Sequence, residues 1–206
     1  MASKPHKEEV KRLILPHQDA INALFLGAWD RWWKNPDRAT SFHRTRACIV
    51  HNYLMNDAVP VMRARKGVHV VEKHETAFFI VAQRLLFRLK KGDDKGLSSN
   101  VGTQASLAFS DPDKPLSLFT DLPYVWRVDI AYVLNYLQTK IDQIVVVARD
   151  EKRILWSFQI YGSAAEGEAP PPPTVLPVSP HIPPPADSGL RIPGVDSDKK
   201  KKRDSE

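Results

Sequence analysis

Residues 41–57, SFHRTRACIVHNYLMND, place His43, Arg44, Arg46 and His51 inside a segment whose apolar positions recur at helical spacing. Histidine exchanges protons near neutral pH, and arginine presents a planar fork that matches phosphate, so such a set could cleave or grip a polynucleotide backbone. On a helix, Arg44 and His51 fall within about 20° of each other, two turns apart on one face. Arg46 and His51 diverge by about 140°, so they do not share a face. A second set lies in KKGDDKGLSSNVGTQA, residues 90–105, where Lys90, Lys91 and Lys95 stand among Gly92, Gly96 and Gly102. Asn100 follows just before an expected short helix. Free N–H groups at a helix start, glycine backbone and lysine charge together make an anion site. The loop is not a P-loop, because Gly96 is followed by Leu97 and not by lysine.

An arginine and a histidine with four to six residues between them, as in RTRACIVH from Arg44 to His51, resemble the motif of HEPN-family ribonucleases. The resemblance covers only these residues. It implies metal-independent RNA cleavage with Arg44 and His51 as the catalytic pair, in the manner of a toxin from a toxin–antitoxin system. It also implies an all-helical fold, from which the second half of this chain departs. A third group is aromatic: Trp29, Trp32 and Trp33, with Arg31, Lys34 and Arg38 nearby. These rings could stack bases between cations, or anchor a protein partner.

The elements that must position these side chains follow from periodicity. Ile21, Leu24, Phe25, Ala28 and Trp32 form one buried helical stripe, with Pro16 near its start. NPD at 35–37 ends that run. Thr40 or Ser41 is expected to cap the next helix, with Phe42, Ile49 and Tyr53 facing inward. That helix is expected to end near Pro60, or near Gly67 if the proline only kinks it. From Val68 the period changes to two. VHVVEKHE, AFFIVAQ and RLLFRLK read as strands, the last with Leu85, Phe87 and Leu89 opposed to Arg84, Arg88 and Lys90. A short helix from Thr103 and a proline-marked loop over 111–123 come next. YVWRVDIAYVL, IDQIVVVAR and RILWSFQIY complete the sheet, with a hairpin turn at 149–153. In the final strand Ile154, Trp156, Phe158 and Ile160 share one face.

The expected fold is α+β: helices over about 8–66, packed on a largely antiparallel sheet over about 68–161. Residues 1–162 make one domain. Residues 163–206 hold 10 of the 17 prolines and end in a Lys/Arg run, which fits a disordered tail. The net charge is +6. Residues 163–206 hold six bases and seven acids, which leaves 24 bases and 17 acids, or +7, in residues 1–162. That excess suits a polyanionic partner.

With 42% hydrophobic residues the chain can build a core, and no apolar run approaches a membrane span. One cysteine, Cys48, excludes an internal disulfide, and no secretory signal is read at the N-terminus, so a cytoplasmic setting is expected. His69 and His74 would point to opposite faces of a regular strand, so neither a metal site nor a cofactor is expected. The leading expectation is a non-enzymatic interaction module within a larger assembly. It contacts RNA or DNA through Arg44, Arg46, His51, Lys90, Lys91, Lys95 and Asn100. The alternatives are the ribonuclease and a protein-binding adaptor anchored by the tryptophans.

Overall fold

Helices occupy the first part of the chain and a sheet the second. The computed structural model describes residues 4–73, 76–98, 108–111, 125–151 and 153–162. The expected tail over 163–206, the helix start at Thr103, most of the 111–123 loop, Asn100 and His74 lie outside them. Three α-helices come first: α1 (Lys7–Ile14), α2 (Gln18–Trp33) and α3 (His43–Arg63). The sheet follows as β1 (Val68–Lys73), β2 (Thr76–Val81), β3 (Leu85–Lys91), β4 (Trp126–Leu134), β5 (Ile141–Asp150) and β6 (Arg153–Tyr161). The α+β expectation holds, with nearly the expected bounds.

Pro16 sits in the short 3-10 turn Leu15–His17, where its missing N–H has no helical partner to lose. Ile21, Leu24, Phe25, Ala28 and Trp32 are all buried against the sheet. The start of α3 differs from expectation. Phe42 is its N-cap residue, and no side chain caps that end. Ser41 Oγ and Thr40 Oγ1 instead donate to the Asp37 carbonyl, 2.8 and 3.2 Å away, closing the 3-10 turn Pro36–Ala39. Standing before the first helical turn, Phe42 is not carried round to the buried face and is 81% exposed. Ile49 and Tyr53 do pack on the core. Pro60 lies within α3, which runs past it to Arg63.

The six strands lie in sequence order, with every neighbouring pair antiparallel except β3 and β4, which are parallel. Parallel neighbours need a crossover, and residues 92–125 supply it. Leu85, Phe87 and Leu89 meet the helices, with Phe79 and Phe87 stacked at 5.1 Å. The alternate residues do not face water. Leu97, Phe109 and Val125 from the crossover pack on the second face of the sheet, so Arg88 is buried as well.

Two irregularities in β6 break the period of two. Trp156 pairs with Ala148 and Ile154 with Arg149, which leaves Leu155 as an extra residue. Ile154 therefore packs on the crossover side, while Leu155, Trp156 and Phe158 pack with the helices. The expected single face from Ile154 to Ile160 is corrected on this point. Ile160 is the second extra residue, and its carbonyl accepts from Gln18 Nε2 (3.0 Å) and Asn22 Nδ2 (2.9 Å), tying α2 to the edge strand.

The β2–β3 turn runs over residues 82–84, and its first two residues, Ala82 and Gln83, have φ of 50° and 55°. Arg84 N donates to Val81 O at 3.0 Å across it. Such a turn favours Asn-Gly, and each side chain in the left-handed region costs about 1 kcal/mol. Ala82→Asn combined with Gln83→Gly is expected to raise stability by about 1 kcal/mol, read as a higher urea midpoint at unchanged slope. A lower midpoint would show that the exposed Gln83 side chain contributes more than its backbone strain costs.

Candidate functional site

The first turns of α3 and the β4–β5 turn form the two walls of a groove of about 370 Å³. Its lining includes Trp33, Arg38, His43, Arg46, Leu137 and Gln138, with no acidic residue among the described ones. Arg38 lies over Trp33, its guanidinium carbon 3.9 Å from the ring centroid, within cation–π distance. Arg46 is half-buried and links the walls. It donates to Gln138 Oε1 and, at 2.9 Å, to His43 Nδ1, and it lies 5.9 Å from the Trp29 ring centroid.

The β4–β5 turn is braced by one side chain. Asn135 Oδ1 accepts from Thr139 N (2.8 Å) and Lys140 N (3.1 Å), and Asn135 Nδ2 donates to Thr139 Oγ1 at 3.0 Å. Gln138 holds a φ of 53°, and its N–H reaches Asn135 O at 2.8 Å. Trp29 Nε1 fastens the turn to α2 by donating to Thr139 O at 3.2 Å. Sequence reasoning did not single out this turn. Its signal was an asparagine followed by Tyr136 and Leu137, two large apolar residues between strands.

The helix and lysine sets, read separately in the sequence, meet around the end of β3. Lys91 pairs in register with Tyr132. Burial lowers the Lys91 pKa, and the nearby Arg46 charge lowers it further. Burial raises the Tyr132 phenol well above its ordinary value. The next residue back, Lys90, alternates to the crossover side and is lowered by burial first and then by Arg88. His51 is pushed down to about 4 by burial and by the Lys90 charge. An imidazole held there is neutral at pH 7, whereas proton transfer is most efficient with a pKa near the working pH. Arg44 is exposed, and two turns of α3 separate it from His51.

Lys95 is exposed, and the loop around it is closed on itself. Asp93 Oδ1 accepts from Lys95 N (3.0 Å) and Leu97 N (2.8 Å), while Gly92 N donates to Tyr132 O at 2.9 Å. These donors are committed within the fold. Gly96 has a φ of +77° and lies so close to β5 that a Cβ there would stand 2.6 Å from Val145 Cγ2. No other residue type fits that combination without displacement.

Behind the sheet lies a buried ionic cluster that the sequence did not reveal. Arg88 Nε donates to Asp129 Oδ1 at 2.5 Å and Arg88 Nη2 to Oδ2 at 3.3 Å, while Ser98 Oγ donates to Oδ2 at 3.0 Å. Arg149 Nη2 stands 3.2 Å from the same Oδ2 as an ion pair, without hydrogen-bond alignment. Burial alone would raise the Asp129 pKa. The charge and hydrogen bonds of Arg88, then Arg149 and Ser98, outweigh it and hold the carboxyl below its ordinary value. Arg88 also lies 3.8 Å from the Phe109 ring centroid, so the cluster pins the crossover to the sheet. Among the described residues, no three His, Cys, Asp or Glu side chains gather where a metal ion could be held, and no helix is long and apolar enough to cross a membrane.

The fold and groove together define a mixed sheet backed by helices on one face, with a basic, aromatic groove at one end. Comparison with family models, with curated proteins and with solved structures found no match to this chain.

Proposed function

We propose that the protein is a non-enzymatic, nucleic-acid-associated interaction module of the cytoplasm, acting within a larger assembly. The observation that carries this reading is the groove, with no acid among its described lining residues, in which Arg38, His43 and Arg46 stand among aromatic rings. The +7 charge of residues 1–162 supports it, because the surrounding field favours approach of a polyanion. Within the proposed interface Arg46 keeps the role expected of it. Arg38 and His43 join it, and Arg44 and Lys95 provide exposed charge nearby in the sequence sets. Lys90 and Lys91 act from beneath by keeping that end of the sheet positive.

Binding of mixed-sequence RNA and DNA oligonucleotides, followed by fluorescence anisotropy across a salt series, tests the proposal. Counterion release makes log affinity fall linearly with log salt. Arg38→Gln with Arg46→Gln is expected to flatten that slope by about 1.4 on a single strand if each arginine contacts one phosphate. The melting temperature of the variant is measured alongside, because Arg46 also bridges two elements. Absence of binding by the wild-type chain at low salt would overturn the proposal.

A further inference from the structure

Of the seven exposed large hydrophobic residues among those described, Leu137 at 73% exposure and Trp33 at 42% line this groove, and Tyr136 at 98% and Phe42 at 81% stand next in sequence to lining residues. Phe42 stands between the lining residues Ser41 and His43, and Tyr136 adjoins the lining residue Leu137. Resting on the reading above, we infer that the groove binds nucleic acid as a single strand, with an unstacked base placed on Tyr136. A duplex offers its phosphates but keeps its bases stacked inside, so it would use the arginines and leave the rings in water. A single strand offers both charge and π-faces, and each base stacked on an aromatic ring adds sequence-tolerant affinity.

The groove is built in advance for that purpose. Asn135, Trp29 and Arg46 hold the β4–β5 turn from three sides, so Tyr136 is presented on a fixed backbone. Opposite it, Arg38 lies over Trp33 and makes no side-chain hydrogen bond or ion pair among the described residues. Its donors are available to a phosphate. At about 370 Å³ the groove falls at the small end of ligand sites, which suits one nucleotide at a time and not the width of a double helix.

The test compares a fluorescein-labelled dT12 strand, an rU12 strand and a 12-base-pair mixed-sequence duplex at one salt concentration. The single strands are expected to bind at least tenfold more tightly than the duplex. Tyr136→Ala is expected to weaken single-strand binding about tenfold while leaving duplex binding unchanged, and Tyr136→Phe to keep wild-type affinity. Because Tyr136 is almost fully exposed, these variants keep the wild-type melting temperature. Equal binding of strand and duplex, with Tyr136→Ala neutral, would overturn this inference and leave the nucleic-acid reading standing. No binding of any of the three probes would overturn both.

Discussion

Replacing Asp129 with alanine is expected to destabilise the protein by about 3–5 kcal/mol, the largest effect of any single polar substitution proposed for it. The carboxylate is 2% exposed and faces the buried Arg88 and the Arg149 guanidinium. Without it those cations lose their counter-charge in a site that water scarcely reaches. Lys90, whose charge acts on the same cluster, would add to the repulsion. The loss should appear as a melting temperature lower by roughly 10–15 °C, given the size of the chain. The cause can be separated from lost packing. Arg88→Met, Asp129→Leu and Arg149→Met together remove the buried pair and the second arginine, leaving only the less buried Lys90. They are expected to recover most of the loss, because apolar replacement of buried ion pairs is often close to neutral. A penalty below about 1 kcal/mol for Asp129→Ala would show that solvent enters behind the sheet.

That cluster marks where the sequence stopped being readable. A strand's alternation reveals which residues share a face, but not what covers the face. Arg88 and Lys90 in β3, with Arg84 just before it, fall opposite Leu85, Phe87 and Leu89, the same pattern a solvated face would give. Only the parallel pairing of β3 with β4 lays the crossover over Arg88, and such pairing joins residues distant in the chain. A local signal did exist in β4, where Asp129 interrupts WRVDIAYVL, a run otherwise buried along nearly its whole length. An acid in such a strand implies a buried base opposite it. The extra residues in β6 were likewise unreadable, because a bulge is set by a partner strand and not by its own alternation. By contrast the helical stripe from Ile21 to Trp32 and the bounds of all six strands were legible, since burial on one face imposes its period directly.

The candidate site was legible in composition and not in place. Arg46 could be set apart from His51 because helical angles place the two on different faces. Its partners Gln138 and Trp29 could not be identified, since one lies across the sheet turn and the other on a different helix. The tryptophans read as a single group, yet they divide by burial. Trp32 belongs to the core, Trp29 bridges core and turn, and Trp33 faces the groove with Arg38 on it. The ribonuclease resemblance rested on eight residues of α3, and the sheet beneath that helix supplies what a sequence motif leaves out. Lys90 imposes charge on His51, and burial removes the water that would stabilise an imidazolium.

That environment gives His51 a measurable signature in the folding equilibrium. In the unfolded chain its pKa is about 6.5, and in the folded protein it is pushed down to about 4. Above pH 6.5 both states carry a neutral ring, and His51 leaves stability unaffected. As the pH falls from 6.5 towards 4, the unfolded chain takes up the proton first and is favoured. Stability is therefore lost across that window, by roughly 3 kcal/mol when it is complete. Asp129, depressed from a much lower starting value, loses its contribution only below about pH 4, so the two responses are separated. His17 is also lowered, by burial and by Arg65, whose Nε donates to its Nδ1 at 3.0 Å, and it titrates in the same direction as His51. Urea unfolding of the wild type, His51→Gln and His17→Gln at pH 7.5, 6, 5 and 4.5 resolves them. His51→Gln is expected to be the flatter of the two variants, with its midpoint converging on or exceeding that of the wild type at pH 4.5. If His51→Gln keeps the full wild-type pH dependence, the imidazole is protonated in the folded state as readily as in the unfolded chain. Burial and the Lys90 charge then do not depress it in the folded protein.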